Sequence, residues 1–131
     1  MPLVRISLLK GKSPAYVRAI ADGVHEALVE TFHVPVDDRF QLIHQHDRDE
    51  FIYDADYLGV HRSDDVVFIN ILQSNWRDTQ TKQALYRAVA DRLARSPGLR
   101  REDVQIQLSP NGREDWSFGN GIAQYVKEGD A

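Results

Sequence analysis

The sequence predicts an α+β fold in which two βαβ units form one four-stranded sheet with two helices on one face. Three observations predict it. The order strand, helix, strand occurs twice along the 131 residues. Each predicted helix carries its apolar residues at three- and four-residue spacing, so one side is a continuous apolar stripe. The two copies also lie a near-constant distance apart: Val4 matches Val67 and Phe40 matches Ile106, offsets of 63 and 66, which is the mark of a duplicated βαβ unit.

The elements follow in order. Residues 2–9, Pro-Leu-Val-Arg-Ile-Ser-Leu-Leu, are short, leucine-rich and β-branched, with Gly11, Lys12 and Ser13 behind them as turn residues, which fits a buried strand. Ser13 offers a helix N-cap and Pro14 the favoured first helical position. Val17, Ile20, Ala21, Val24, Ala27, Leu28, Thr31 and Phe32 then form the apolar stripe of a helix, with Arg18, Asp22, Glu26 and Glu30 opposite. Pro35 cannot continue it. Residues 39–46 alternate as a second strand. The Asp-, Tyr- and Gly-rich stretch 50–65 reads as a connecting loop or short hairpin. Residues 66–72 give the third strand. Asp78 caps a helix running to about Ser96, whose stripe is Leu85, Val89 and Leu93 with intervening alanines, and Pro97-Gly98 stops it. Residues 103–108 alternate as a half-buried fourth strand. One domain, 1–131, is expected, with repeats at about 2–47 and 66–109. The tail 115–126 is too aromatic to be a disordered terminus and is expected to pack, a neighbouring subunit being a natural candidate.

Composition narrows the function. The formal charge is −4 and the pI about 5.7, with basic residues scattered, which argues against nucleic acid as a partner. Cysteine is absent, so disulfides, thiolate catalysis and zinc–thiolate sites are excluded. Lys10, Lys12, Arg18, Asp22 and Glu26 interrupt the apolar positions of the first thirty residues, and neither a signal peptide nor a membrane span is expected. A cytoplasmic protein follows as the expectation.

Proline directly after the initiator methionine is the chemically suggestive feature. Removal of Met1 would leave a secondary amine as the first atom of the folded chain. Proline is also tolerated at the first residue of a strand simply because it lacks an N–H.

Further residues sharpen this reading: Val34-Pro35, Asp38-Arg39-Phe40-Gln41 running into His44-Gln45-His46, Leu58-Gly59, Arg77 ahead of Lys82-Gln83 and Tyr86, and Asp115-Trp116-Ser117-Phe118-Gly119 with Gly121, Ala123 and Gln124. With Pro2-Leu3, this pattern resembles the tautomerase superfamily (4-oxalocrotonate tautomerase-like, with the tautomerase/MIF-like fold), within it the malonate semialdehyde decarboxylase group, over nearly the whole chain. The resemblance implies a homotrimer with active sites near subunit boundaries and a proline amine acting with an aspartate and two arginines. Asp38 matches the aspartate and Arg77 the second arginine, while the first falls on Asn75. The histidine and glutamate variants of the related dehalogenases are absent, since the corresponding part of the first helix reads Ala27-Leu28-Val29. Dehalogenation is disfavoured.

The chemistry expected is cofactor-independent. A neutral amine beside apolar walls from Trp116, Phe118 and Tyr125 would move protons next to a carbonyl; a protonated one would favour hydration or decarboxylation of a 3-oxo acid. Asp38 would assist and Arg77, with Asn75, would hold a small carboxylate substrate. Each residue also has a plainer account. Asp38 could bond turn N–H groups. Arg77 could pair with Asp78 or Glu114, and Trp116 and Phe118 could be packing. His44 and His46 share a strand face and could hold a metal with Asp47 or Asp49, but no metal site is expected, because the pair belongs to the family pattern. His25, His33 and His61 show no partner in the sequence. Gly119-x-Gly121 lacks the strand-to-helix setting of a nucleotide site. The competing reading is a non-catalytic βαβ binding or assembly module whose Pro2 stays covered by Met1.

Overall fold

A computed structural model describes residues 1–126. The strands are β1 (Leu3–Leu9), β2 (Phe40–His46), β3 (Val67–Ser74) and β4 (Val104–Asn111), and the helices α1 (Pro14–Phe32) and α2 (Thr79–Arg95). The sheet order is β2-β1-β3-β4. Within each half the two strands are parallel, and the halves meet through antiparallel β1 and β3. The twofold βαβ reading is therefore correct. The connection at 47–66 forms no hairpin strand; it contains 3-10 turns at Arg48–Glu50 and Tyr57–Gly59.

The local signals act as expected. Ser13 Oγ accepts the Tyr16 N–H at 3.1 Å and Pro14 opens α1. Asp78 Oδ1 accepts the Thr81 N–H at 2.8 Å and opens α2. These caps satisfy amides that no carbonyl inside the helix can reach. α1 ends at His33, which takes the left-handed conformation (φ 56°).

Even-numbered Val4, Ile6 and Leu8 on β1 and odd-numbered Val67, Ile69 and Ile71 on β3 face the helices and are buried with Ile20, Val24, Leu28, Phe32, Leu85, Val89 and Leu93. At the helix crossing a Cβ on Gly23 would lie 2.8 Å from Leu93 Cδ2; only a residue without one allows that approach. Among the described residues no helix packs on the opposite sheet face. Phe51 stacks on Phe68 there at 4.9 Å between centroids, so the 47–66 connection covers part of it, while Phe40 and Leu42 stay 48% and 43% exposed. Among the described residues no helix is long and apolar enough to cross a membrane.

Candidate active site

The sheet pairing assembles the site. Leu3 of β1 pairs with Leu72 of β3, which sets the head of the chain beside the end of β3. Ser74 pairs with Asn111, which brings the end of β4 to the same edge of the fold. A pocket of about 350 Å³ opens there, lined by Met1, Phe32, His33, Val34, Pro35, Asp38, Ser74, Trp76, Arg77, Arg113 and Tyr125.

Asp38 reaches it from the turn after α1. Its N–H donates to Pro35 O at 3.0 Å. His25 Nε2 lies 2.8 Å from Val36 O; a carbonyl only accepts, so Nε2 carries the proton and pins this turn. The Asp38 side chain is only 6% exposed, yet among the described residues neither carboxylate oxygen has a hydrogen-bond partner. The plainer account of Asp38, an oxygen bonded to turn amides, is thereby removed. Burial pushes its pKa up, Asp37 pushes the same way, and the chain's leading amine and His25 oppose them. A buried carboxylate without partners is costly to fold, and such groups concentrate where chemistry is done.

With Met1 in place the leading amine is that of Met1. Burial lowers its pKa below the ordinary 8.0, Asp38 pulls it back up, and Arg77 and Arg113 push it further down. Pro2 is buried directly behind it, its Cα about 3.8 Å along the chain. Amine and carboxylate thus oppose each other's shifts, the signature of a coupled acid–base pair.

Arg77 is held between two rings, its guanidinium carbon 4.2 Å from the Phe32 centroid and 4.1 Å from that of Trp76. Nη1 donates to Gln73 Oε1 at 3.1 Å and Ser74 O at 3.4 Å, and Nη2 to Phe32 O at 3.2 Å. Five N–H groups are available to arginine; these bonds leave Nε–H and one N–H of Nη2. Nε is buried without a partner. Those two donors are left for a carboxylate to accept. Arg77 forms no salt bridge with Asp78 or Glu114 among the described residues; Asp78 is occupied as the α2 cap.

The tail packs on its own chain. Trp116 stacks on Phe118 at 5.3 Å, Phe118 meets Tyr125 edge-on at 5.1 Å, and Phe40 lies 6.0 Å from Phe118. Trp116 and Phe118 are therefore not around the pocket themselves; they hold Tyr125, which is. Burial and Asp38 push the Tyr125 phenol upward. Asn75 is not brought into the pocket: it is exposed, and its backbone N–H donates to Asn111 O at 2.7 Å. The residue that sequence reasoning missed is Arg113, two positions beyond β4, together with Trp76 and His33. The available signal was the β3–β4 register, which carries residues just past 111 to the loop holding Arg77.

Other clusters are occupied or incomplete. A cleft of about 650 Å³ between α1 and β2 contains Lys12, Arg18 and Arg39, but these are paired with Asp65, Asp22 and Asp22 at 2.6, 3.1 and 2.6 Å, and among the described residues no unpartnered titratable group lines it. His44 Nε2 lies 3.3 Å from Arg5 Nη1 and His46 packs on Phe51. The described group close enough to hold a metal, Asp47, Asp49 and Glu50, includes neither histidine. His25 and His61, which show no partner in the sequence, bond to Val36 O and Asp56 Oδ1.

Two family models, each described as tautomerase enzyme, match this chain, one over residues 38–119 and one over 2–61. The chain belongs to the tautomerase family of enzymes. It is 42% identical over 127 residues to "Probable tautomerase YusQ" of Bacillus subtilis (strain 168), covering 97% of this chain and 100% of that one. Among solved structures it is similar to FG41 malonate semialdehyde decarboxylase inhibited by 3-bromopropiolate (42% identity, TM-score 0.88, 94% and 93% of the two chains). A second malonate semialdehyde decarboxylase superposes with TM-score 0.89 at 32% identity, over 94% of this chain and 95% of that one.

Proposed function

We propose that removal of Met1 frees the Pro2 amine, which then acts as acid and base on a small 2-oxo or 3-oxo carboxylate without a cofactor. The observation that carries this reading is the buried, unpartnered Asp38 carboxylate facing an amine whose pKa burial drives down. Arg77 offers Nε–H and Nη2–H to the substrate carboxylate while Phe32 and Trp76 hold its plane, and Tyr125 closes the wall. The neutral amine accepts a proton from the enol oxygen and the resulting ammonium returns one to carbon, so nothing is consumed. With a 3-oxo acid the protonated amine instead lies ready to protonate the carbon left when carbon dioxide departs. Asp38 sets the balance between the two, because its charged form favours the ammonium and its protonated form does not. The relatives named malonate semialdehyde decarboxylase support the 3-oxo acid as one substrate class. A homotrimer completes the proposal, with the exposed Phe40 and Leu42 on the helix-free sheet face as apolar surface for neighbouring subunits.

The test is conversion of phenylenolpyruvate from enol to keto form, read by ultraviolet absorbance on protein whose intact mass lacks Met1, beside Pro2→Ala. Loss of a hundredfold or more in the variant, with the oligomer intact, is expected. Equal rates in both would contradict a proline catalyst. Retention of Met1 on all protein from the native host would favour the binding-module reading.

A further inference from the structure

Arg113 belongs to none of the roles so far assigned, and its surroundings distinguish it from the other exposed arginines. It lies on the pocket that holds the amine, Asp38 and Arg77, and among the described residues it enters no salt bridge. Arg18, Arg39, Arg48, Arg92, Arg100 and Arg101 each face a carboxylate within 4.0 Å; Arg5, Arg62, Arg87 and Arg95 face none among the described residues, and Arg113 differs from them in lining this pocket. The backbone that carries Arg113 is fixed on both sides. Asn111 O accepts the Asn75 N–H at 2.7 Å and Asn111 Oδ1 accepts the Trp116 indole N–H at 2.8 Å. On the far side Asp115 Oδ2 accepts the Gly112 N–H at 2.8 Å, closing a 3-10 turn over Arg113–Asp115. A guanidinium with no carboxylate partner among the described residues is thus presented, on an anchored turn, to a pocket that also holds Arg77 with two of its donors free.

We infer that Arg113 is a second anion-binding residue of this pocket, and that the favoured ligands are small acids carrying two oxyanions, one carboxylate on Arg77 and a second carboxylate or enolate oxygen on Arg113. This rests on the proposed role of Arg77 as carboxylate holder. The two arginines differ in setting, and the difference assigns their tasks. Arg77 is stacked, bonded to backbone carbonyls and part-buried, so it fixes orientation. Arg113 is exposed and lines the pocket, so its contribution depends on the charge of the ligand and on salt. The opposing carboxylate is Asp38, which faces the same space and restrains how much negative charge the pocket accepts; His33, Tyr125 and the leading amine are the other titratable groups of the lining.

The experiment compares malonate with propionate, which are close in size and differ by one charge. Binding of each to the Met1-free protein is measured by calorimetric titration near pH 7 at low and at physiological salt, for wild type, Arg113→Gln, Arg113→Lys and Arg77→Gln. Wild type is expected to bind malonate about tenfold more tightly than propionate, the range of one charge-assisted hydrogen bond. Arg113→Gln should remove that preference and leave propionate unchanged. Arg113→Lys should keep part of it, and added salt should shrink it. Arg77→Gln should weaken both ligands. An unchanged malonate-to-propionate ratio in Arg113→Gln, with Arg77→Gln still weakening propionate, overturns this inference alone. Propionate binding that is absent, or indifferent to Arg77→Gln, overturns the carboxylate-holding role as well. Because Arg113 is exposed, its substitution leaves the core untouched.

Discussion

Each half of the molecule buries one aspartate just ahead of its second strand, and the two are treated in opposite ways. Asp103, immediately before β4, is fully buried and satisfied: Oδ1 accepts the Ser63 N–H at 2.7 Å and Oδ2 the Ser63 hydroxyl at 2.6 Å. Asp38, two residues before β2, is nearly as buried and has no hydrogen-bond partner on either oxygen among the described residues. Asp103 ties the 47–66 connection to the sheet. Asp38 faces a pocket and an amine. A duplicated unit has thus used one position for structure and left the other open to a pocket, where the proposed chemistry needs it, and the hydrogen-bond inventory, not burial, separates them.

Removing each carboxylate breaks or sharpens that contrast. The largest effect is expected at Asp103→Ala, which leaves Ser63 without its acceptors and opens a buried space; a loss of about 3 kcal/mol in urea unfolding is predicted. A loss under 1 kcal/mol would show that Asp103 does not hold the connection in place. The opposite sign is predicted at Asp38→Asn. The folded-state pKa of Asp38 is raised by burial, so below its ordinary 3.8 the native state suffers no penalty, and stability falls as pH rises from there through the folded value. Replacing the ionisable group should therefore stabilise the protein by about 1–2 kcal/mol near pH 7 and by less near pH 3, while turnover falls tenfold to a hundredfold. Thermal melts at the two pH values, set beside phenylenolpyruvate rates, check both parts. A variant that is less stable at neutral pH would mean that Asp38 has a partner after all.

Most of the fold was legible because its signals are local or periodic. Ser13-Pro14, Asp78 and Pro97-Gly98 mark helix ends whatever surrounds them, and the stripes of α1 and α2 need only chain order. Strand ends were less clear. β3 runs to Ser74, and β4 to Asn111, past the apolar residues that announced them, because each pairs with the other; Gln73 and Ser74 are polar yet buried. The site divides in the same way. Pro2, Asp38 and Arg77 sit beside punctuation the sequence displays, at a strand start, after a helix and before a cap. Arg113 lies in Asn-Gly-Arg-Glu-Asp, a run that reads as a solvated turn, and reaches the pocket only through the parallel β3–β4 register. Asn75 shows the converse: counting back from Lys82-Gln83 and Tyr86 carries no sign that its loop is bonded to β4 and leaves Asn75 exposed.

The central claim is that the pocket holds the chain's leading amine below its ordinary pKa, with Asp38 as the group that opposes this. Its most direct test is a nitrogen-15 NMR titration of the labelled Pro2 amine in Met1-free protein, beside Asp38→Asn. The account predicts a single transition below that of the same amine in the unfolded protein, and a still lower one in the variant, since the carboxylate that raises it is gone. A transition at or above the unfolded one, or an upward shift in Asp38→Asn, would contradict the account.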